Sequence, residues 1–291
     1  MSAQMALEDT RRLVELFRSI LRAPIQITEA EDGLMQALCL KLMSHATTAL
    51  RLAEEPTRMP SGQGQFTDVG SVYALARTAY ETALVLHFVF LVPESIAPSG
   101  RRRLRFLRWD LAGYVQTEDW AATQPENAKL KQEYARAAEK IREALKKHDE
   151  FLKLPEKKQK GMGRVPTQGD ALKGKEWKEE KWWELAVEMG IKEGHFRPSY
   201  AFLSAWAHSD SLSAGQLSNM PEPARRVMAS VALHHLAVPL AKTILAYGAR
   251  FPHARAVLEK NPEDVEFVDT LAAFADIDFT EPKASAPPLG T

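Results

Sequence analysis

The chain has 291 residues, 45% of them hydrophobic, which suffices to bury a substantial core and excludes a disordered protein. Lys plus Arg and Asp plus Glu number 38 each, so the chain as a whole lacks the basic excess of a dedicated nucleic-acid binder and only local charge is informative. The lone Cys39 excludes any intrachain disulfide and, inside an apolar-periodic stretch, reads as a small buried thiol rather than a nucleophile.

The first residues pass directly into a charged amphipathic pattern without the basic, apolar and small-residue succession of a secretory leader, so a cytoplasmic location is expected. Leu13, Leu16, Phe17, Ile20 and Leu21 follow helical spacing, and Pro24 stops this first helix. Thr28 and Glu31 have capping-box spacing for a second helix with a narrow stripe of Leu34, Leu38, Leu42, Ala46, Ala49 and Ala53. Two Pro and two Gly between Pro56 and Gln65 mark a connection, after which Asp68 caps a third helix that ends near Pro93. Its apolar run, Ala83 to Val92, is too short to span a bilayer and fits a core helix, so no membrane partner is expected.

A fourth helix follows Ser99-Gly100, with Leu104, Leu107, Leu111, Tyr114 and Val115 on one side. After Pro125, residues Leu130, Tyr134, Ala137, Ile141, Ala144, His148 and Phe151 make a seam of alternating four- and three-residue steps, as in an antiparallel helical hairpin. Residues from Pro155 to Lys175 are rich in Lys and Gly and read as a mobile loop. A tryptophan-bearing helix with Trp177, Trp182 and Trp183 comes next, and Arg197-Pro198 opens another. A long apolar helix runs from about Pro223 to Tyr247 across Pro239, and a last one starts after Asn261-Pro262. The expected architecture is an all-α, multi-helix bundle forming a single helical domain over residues 1–278, followed by a disordered tail, 279–291.

The segment from Arg197 to Asp210 is the most informative. Tyr200, Ser204 and His208 are each four apart and align on one helical face, while Phe202, Leu203 and Trp206 occupy the others. The third helix carries Tyr73, Arg77 and Glu81 at the same spacing, and buried polar groups of this kind need partners. Arg77-x-x-x-Glu81 before an apolar run, with Tyr200-x-x-x-Ser204-x-x-x-His208 further on, resembles the bacterial helical family called domain of unknown function 5677, over about residues 30–250. The resemblance implies a helical bundle with these polar residues near one another, and carries no established activity.

Two readings of Arg77, Glu81, Tyr200, Ser204 and His208 stand side by side. In one they are a buried hydrogen-bond network that fixes helix register, within a binding or regulatory module. In the other they are catalytic: His208 is general acid or base, Arg77 stabilises an anion, and Ser204 or Tyr200 positions substrate or water. The enzymatic alternative is a metal-independent ribonuclease of toxin or phage-defence type. The helical nucleases of that kind place Arg and His closer together than here, where ten residues separate Arg197 from His208 and nine separate Arg77 from His87.

None of the eight His has a Glu three residues before it, and the adjacent His234-His235 point to different helix faces, so no metal site is expected. No cofactor-binding loop is present either. Arg101, Arg102, Arg103, Arg105 and Arg108 could meet phosphates, including those of RNA, with Lys157, Lys158, Lys160 and Arg164 as a second basic surface. The seven acidic residues from Asn261 onward, set against Lys283, could cover such a patch in cis or in a homodimer.

Overall fold

The computed structural model of the chain describes residues 2–23, 30–58, 65–121, 128–163, 180–207 and 219–280. Among them are twelve α-helices and one pair of two-residue strands, so the fold is all-α. The chain divides into two compact units, Met1–His87 with Trp182–Thr291, and Phe88–Lys181.

The first unit begins with α1 (Ala3–Arg22), whose Ser2 cap accepts from the Met5 amide and which buries Leu13, Leu16, Phe17 and Ile20 as their spacing predicts. In α2 (Ala30–Glu54) the lower stripe is the expected Leu42, Ala46, Ala49 and Ala53, but Met35 and Cys39 are buried in place of Leu34 and Leu38. The apolar positions on both sides of that face satisfy the same period, and the neighbouring helices choose between them. Burial pushes the Cys39 thiol up to about 12, consistent with an inert core residue. Thr28 lies outside the described residues.

Strands β1 (Thr57–Arg58) and β2 (Gln65–Phe66) pair antiparallel before α3 (Val69–Leu86), where Asp68 accepts from the Ser71 amide. A π-helical turn, His87–Leu91, prolongs α3. The remaining helices of this unit are α8 (Trp182–Glu188), α9 (Glu193–Ala207), α10 (Glu222–Arg250), α11 (Pro252–Leu258) and α12 (Pro262–Ala273). The core forms around α3, packed on α2, α9 and α10, and around α10, packed on α1, α3, α11 and α12. Both central helices are long and apolar enough to cross a membrane by length and composition, and 67% of the apolar stretch of each is buried within the protein. The short α11, opened by Pro252, is absent from the sequence expectation because seven residues are too few to establish a period.

The start of α9 departs from its expected position. Helical hydrogen bonds already run from the His195 and Phe196 amides to the Lys192 carbonyl, so the helix opens at Glu193 and Pro198 lies inside it. Proline lacks the amide that would bond the Gly194 carbonyl, and the Phe279 amide takes that place at 3.2 Å. Gly190, at φ 81°, ends α8 in a Schellman turn, with the Ile191 amide on the Ala186 carbonyl.

The second unit holds α4 (Ser99–Ala121), α5 (Ala128–Lys146), α6 (Asp149–Leu152) and α7 (Glu156–Gly163). Helices α4 and α5 pack together as the expected hairpin. The buried seam of α5 runs through Ala138 and Leu145, one residue after the predicted Ala137 and Ala144, because the larger Leu145 takes the inward position. His148 leaves the seam to cap α6, its Nδ1 accepting from the Glu150 amide. Helix α7 occupies residues 156–163, inside the segment read as a loop, and residues 164–179 lie outside the described residues.

Thr67, fully buried, gives its amide and hydroxyl to the Glu222 carboxylate at 3.0 and 2.7 Å, fixing the entry of α3 to the start of α10. Glu222→Ala leaves both donors without that acceptor and is expected to lower the unfolding free energy by about 1–3 kcal/mol, as a shifted urea midpoint at constant m-value.

Candidate functional site

Helices α3 and α9 run antiparallel, as successive contacts show. Tyr80 meets Phe196, Arg77 and Glu81 meet Tyr200, and Tyr73 meets Phe202 and Trp206. The four-residue spacing on each helix therefore lines up polar groups along one seam.

At its centre, Arg77 Nε donates to Glu81 Oε1 at 3.0 Å and a terminal guanidinium nitrogen donates to the Tyr200 hydroxyl at 3.2 Å. That hydroxyl donates in turn to Glu81 Oε1 at 2.6 Å, which closes a triangle of charge-assisted bonds. The guanidinium also lies 5.3 Å from the centre of the Tyr200 ring, whose faces meet Phe196 and Trp182. Arg77 and Glu81 keep 21% and 26% of their side-chain surface exposed, so water reaches the triangle. Burial raises the Tyr200 phenol, and the Glu81 carboxylate beside it raises it further. Burial works against the Arg77 charge, but Tyr200 and Glu81 outweigh it and the guanidinium is more firmly protonated than usual.

Ser204 and Tyr73 lie further along the same seam. The hydroxyls of both are buried and have no hydrogen-bond partner among the described residues, a condition that costs about 1–3 kcal/mol each. Three of the five sequence candidates are thus joined, Ser204 is near but unbonded, and His208 lies outside the described residues.

The arginines of α4 are engaged within their own unit. Arg105 stacks on Phe88 at 3.8 Å and donates to its carbonyl, Arg103 lies over Phe106, and Arg102 faces Glu94 at 3.7 Å. Arg108 also has a partner, and Arg101 is exposed near Glu150.

A second ionisable cluster was not legible in the sequence. His195 of α9 is 2% exposed, and neither ring nitrogen makes a well-aligned hydrogen bond. Its ring lies 5.0 Å from Phe279, while on α10 His234 lies 5.9 Å from His235 and from Phe274. All three histidines have lowered pKa values: His195 and His234 by burial first, and His235 to about 4 by burial and then by the other two rings. Among the described residues no group of three metal-ligating side chains converges. The signal available was the His234-His235 pair, but nothing in the pattern brings residue 195 to it.

A helical bundle with a partly exposed Arg–Glu–Tyr triangle between two antiparallel helices is the class that fold and site define. The chain belongs to the family of unknown function DUF5677, whose family model matches residues 42–222. That span takes in Arg77, Glu81, Tyr200, Ser204 and His208, and stops before His234, His235 and the C-terminal helices. No curated protein and no solved structure matches the chain.

Tyr200→Phe removes two of the three bonds of the triangle and is expected to cost about 1–2 kcal/mol, with Arg77→Ala costing at least as much, read from urea denaturation. The histidines give a signed pH dependence. Their folded pKa values lie below the unfolded value, so the native state stays neutral where the unfolded chain binds protons. Their stability is complete above about pH 6.5 and is lost as pH falls through the lowered folded pKa values, that of His235 being about 4, by at most about 1.4 kcal/mol per pH unit for each ring. Urea midpoints measured between pH 7.5 and 4.5 should fall along this range, and less steeply in His235→Phe.

Proposed function

We propose that the chain is a binding or regulatory module whose recognition face is the Arg77–Glu81–Tyr200 triangle together with the Tyr73 and Ser204 hydroxyls. The observation that carries this reading is the pair of buried hydroxyls left unpartnered beside a water-reached, charge-neutral triangle. Such a face suits a small polar ligand that supplies the missing donors and acceptors. Ligand pockets have this character, an apolar and aromatic lining with a few convergent polar groups.

A ribonuclease using His208 and Arg77 is less well supported. Its arginine must offer free positive charge to a phosphate, and Arg77 is already bonded to Glu81 and to Tyr200. The pair carries no net charge toward an incoming anion.

The two readings part in one set of variants. Tyr73→Phe and Ser204→Ala delete hydroxyls that lack partners, so the ligand-free protein should melt at the same temperature or slightly higher. In a thermal-shift screen of polar small molecules, compounds that raise the wild-type melting temperature should lose that effect in both variants. If instead wild type cleaves a mixed RNA pool and His208→Ala abolishes cleavage at unchanged melting temperature, the protein is an enzyme and the binding reading is wrong.

A further inference from the structure

The segment Phe274–Thr280 crosses the first turn of α9, and lies outside the residues that the family shares. Its Ala275 carbonyl accepts from the Lys192 amide at 3.0 Å, and its Phe279 amide fills the position at Gly194 that Pro198 leaves vacant. The Phe279 ring lies over His195 and the Phe274 ring meets His234 edge-on. The approach is close enough that a Cβ at Gly194 would overlap the Asp278 carboxylate. We propose that this segment is an acid-released strap, closed over the start of α9 while His195, His234 and His235 are neutral and lifted when they take up protons.

Two features make the histidines the trigger. Both nitrogens of His195 are sealed from water, and the cost of burying a charge there outweighs the help that the Ile277 carbonyl of the strap gives a protonated ring. The three rings also act on one another, so a charge on one opposes a charge on the next. Lifting the strap exposes His195 and relieves both costs, whereas α3 and the interior of α10 need not open.

The ionisable groups on the surrounding elements are Asp276 and Asp278 on the strap, and Lys192, Glu193 and Arg197 at the start of α9. Lys242 lies on α10, Tyr73 and Tyr80 on α3, and Glu8, Asp9 and Arg12 on α1. Glu193 and Arg197 pair with each other, Lys242 reaches Gly190, and Arg12 pairs with Asp264 of α12. The charges that bear on His195 and His235 are those of the other rings, and the positive N-terminal amino group bears on His234. The strap and the triangle share helix α9, where Phe196, next to His195 in sequence, stacks on Tyr200 at 5.0 Å. Its release by acid does not require that the triangle bind anything.

The test is amide hydrogen exchange on the full chain at pH 7.5 and 5.0, with rates corrected for the chemical effect of pH. The Lys192 and Phe279 amides should lose protection about tenfold or more at pH 5.0, while the amides of α3 lose far less. His195→Phe keeps a ring against Phe279 without a titrating group, and should shrink that loss. Should this variant fail to fold, His234→Phe serves the same comparison. Phe279→Ala should leave both amides unprotected at either pH. The proposal is overturned if the two amides are equally protected at both pH values, if they open only in step with α3, if the histidine variant retains the full wild-type loss, or if Phe279→Ala stays closed at pH 7.5.

Discussion

The antiparallel packing of α9 along α3 is the contact from which the rest of the site follows. Tyr80 against Phe196 and Tyr73 against Phe202 and Trp206 are aromatic pairs at both ends of the seam, and each adds about 0.5–1.5 kcal/mol beyond the area it buries. These anchors set the register, and the register decides that Tyr200 lands between Arg77 and Glu81. A slip of one residue on α9 would turn Tyr200 through about 100° and bring the short side chain of Ser199 or Ala201 to the arginine and glutamate in its place.

Much of this was readable from residue spacing. The four-residue recurrence of Tyr73, Arg77 and Glu81, and of Tyr200 and Ser204, was sufficient to pair two helices that are over a hundred residues apart, because only helical geometry makes such recurrences into faces. Helix existence was equally legible, from caps such as Asp68 and Asn261. Legibility failed where the deciding force was tertiary. The choice of Met35 and Cys39 over Leu34 and Leu38, or of Leu145 over Ala144, depends on which neighbour has room. That information is absent from local pattern.

Pro198 shows the limit most clearly. Read locally, a proline after arginine is the first turn of a helix, since a helix interior lacks a partner for the orphaned carbonyl. The chain supplies that partner from residue 279, eighty-one positions later, so a rule that is sound in isolation gives the wrong start for α9. The same event explains Gly194. It is buried beneath a crossing segment, and its lack of a side chain gives the Asp278 carboxylate its place. One distant strand of backbone thus accounts for a proline inside a helix and a glycine near its start.

Helix α9 joins two ionisable clusters of opposite character. At Tyr200 the groups are paired, and both the arginine and the phenol have pKa values raised further above neutrality, so neither changes charge near physiological pH. At His195 the groups are buried and mutually repulsive once charged, and burial lowers all three pKa values, so they stay neutral where a free imidazole begins to protonate. The two ends are one residue of stacking apart, through Phe196. The ring that rests on Tyr200 thus adjoins in sequence a titrating residue, while the Tyr200 hydroxyl is held at 2.6 Å by Glu81 and at 3.2 Å by Arg77, groups that keep their charge over the same range.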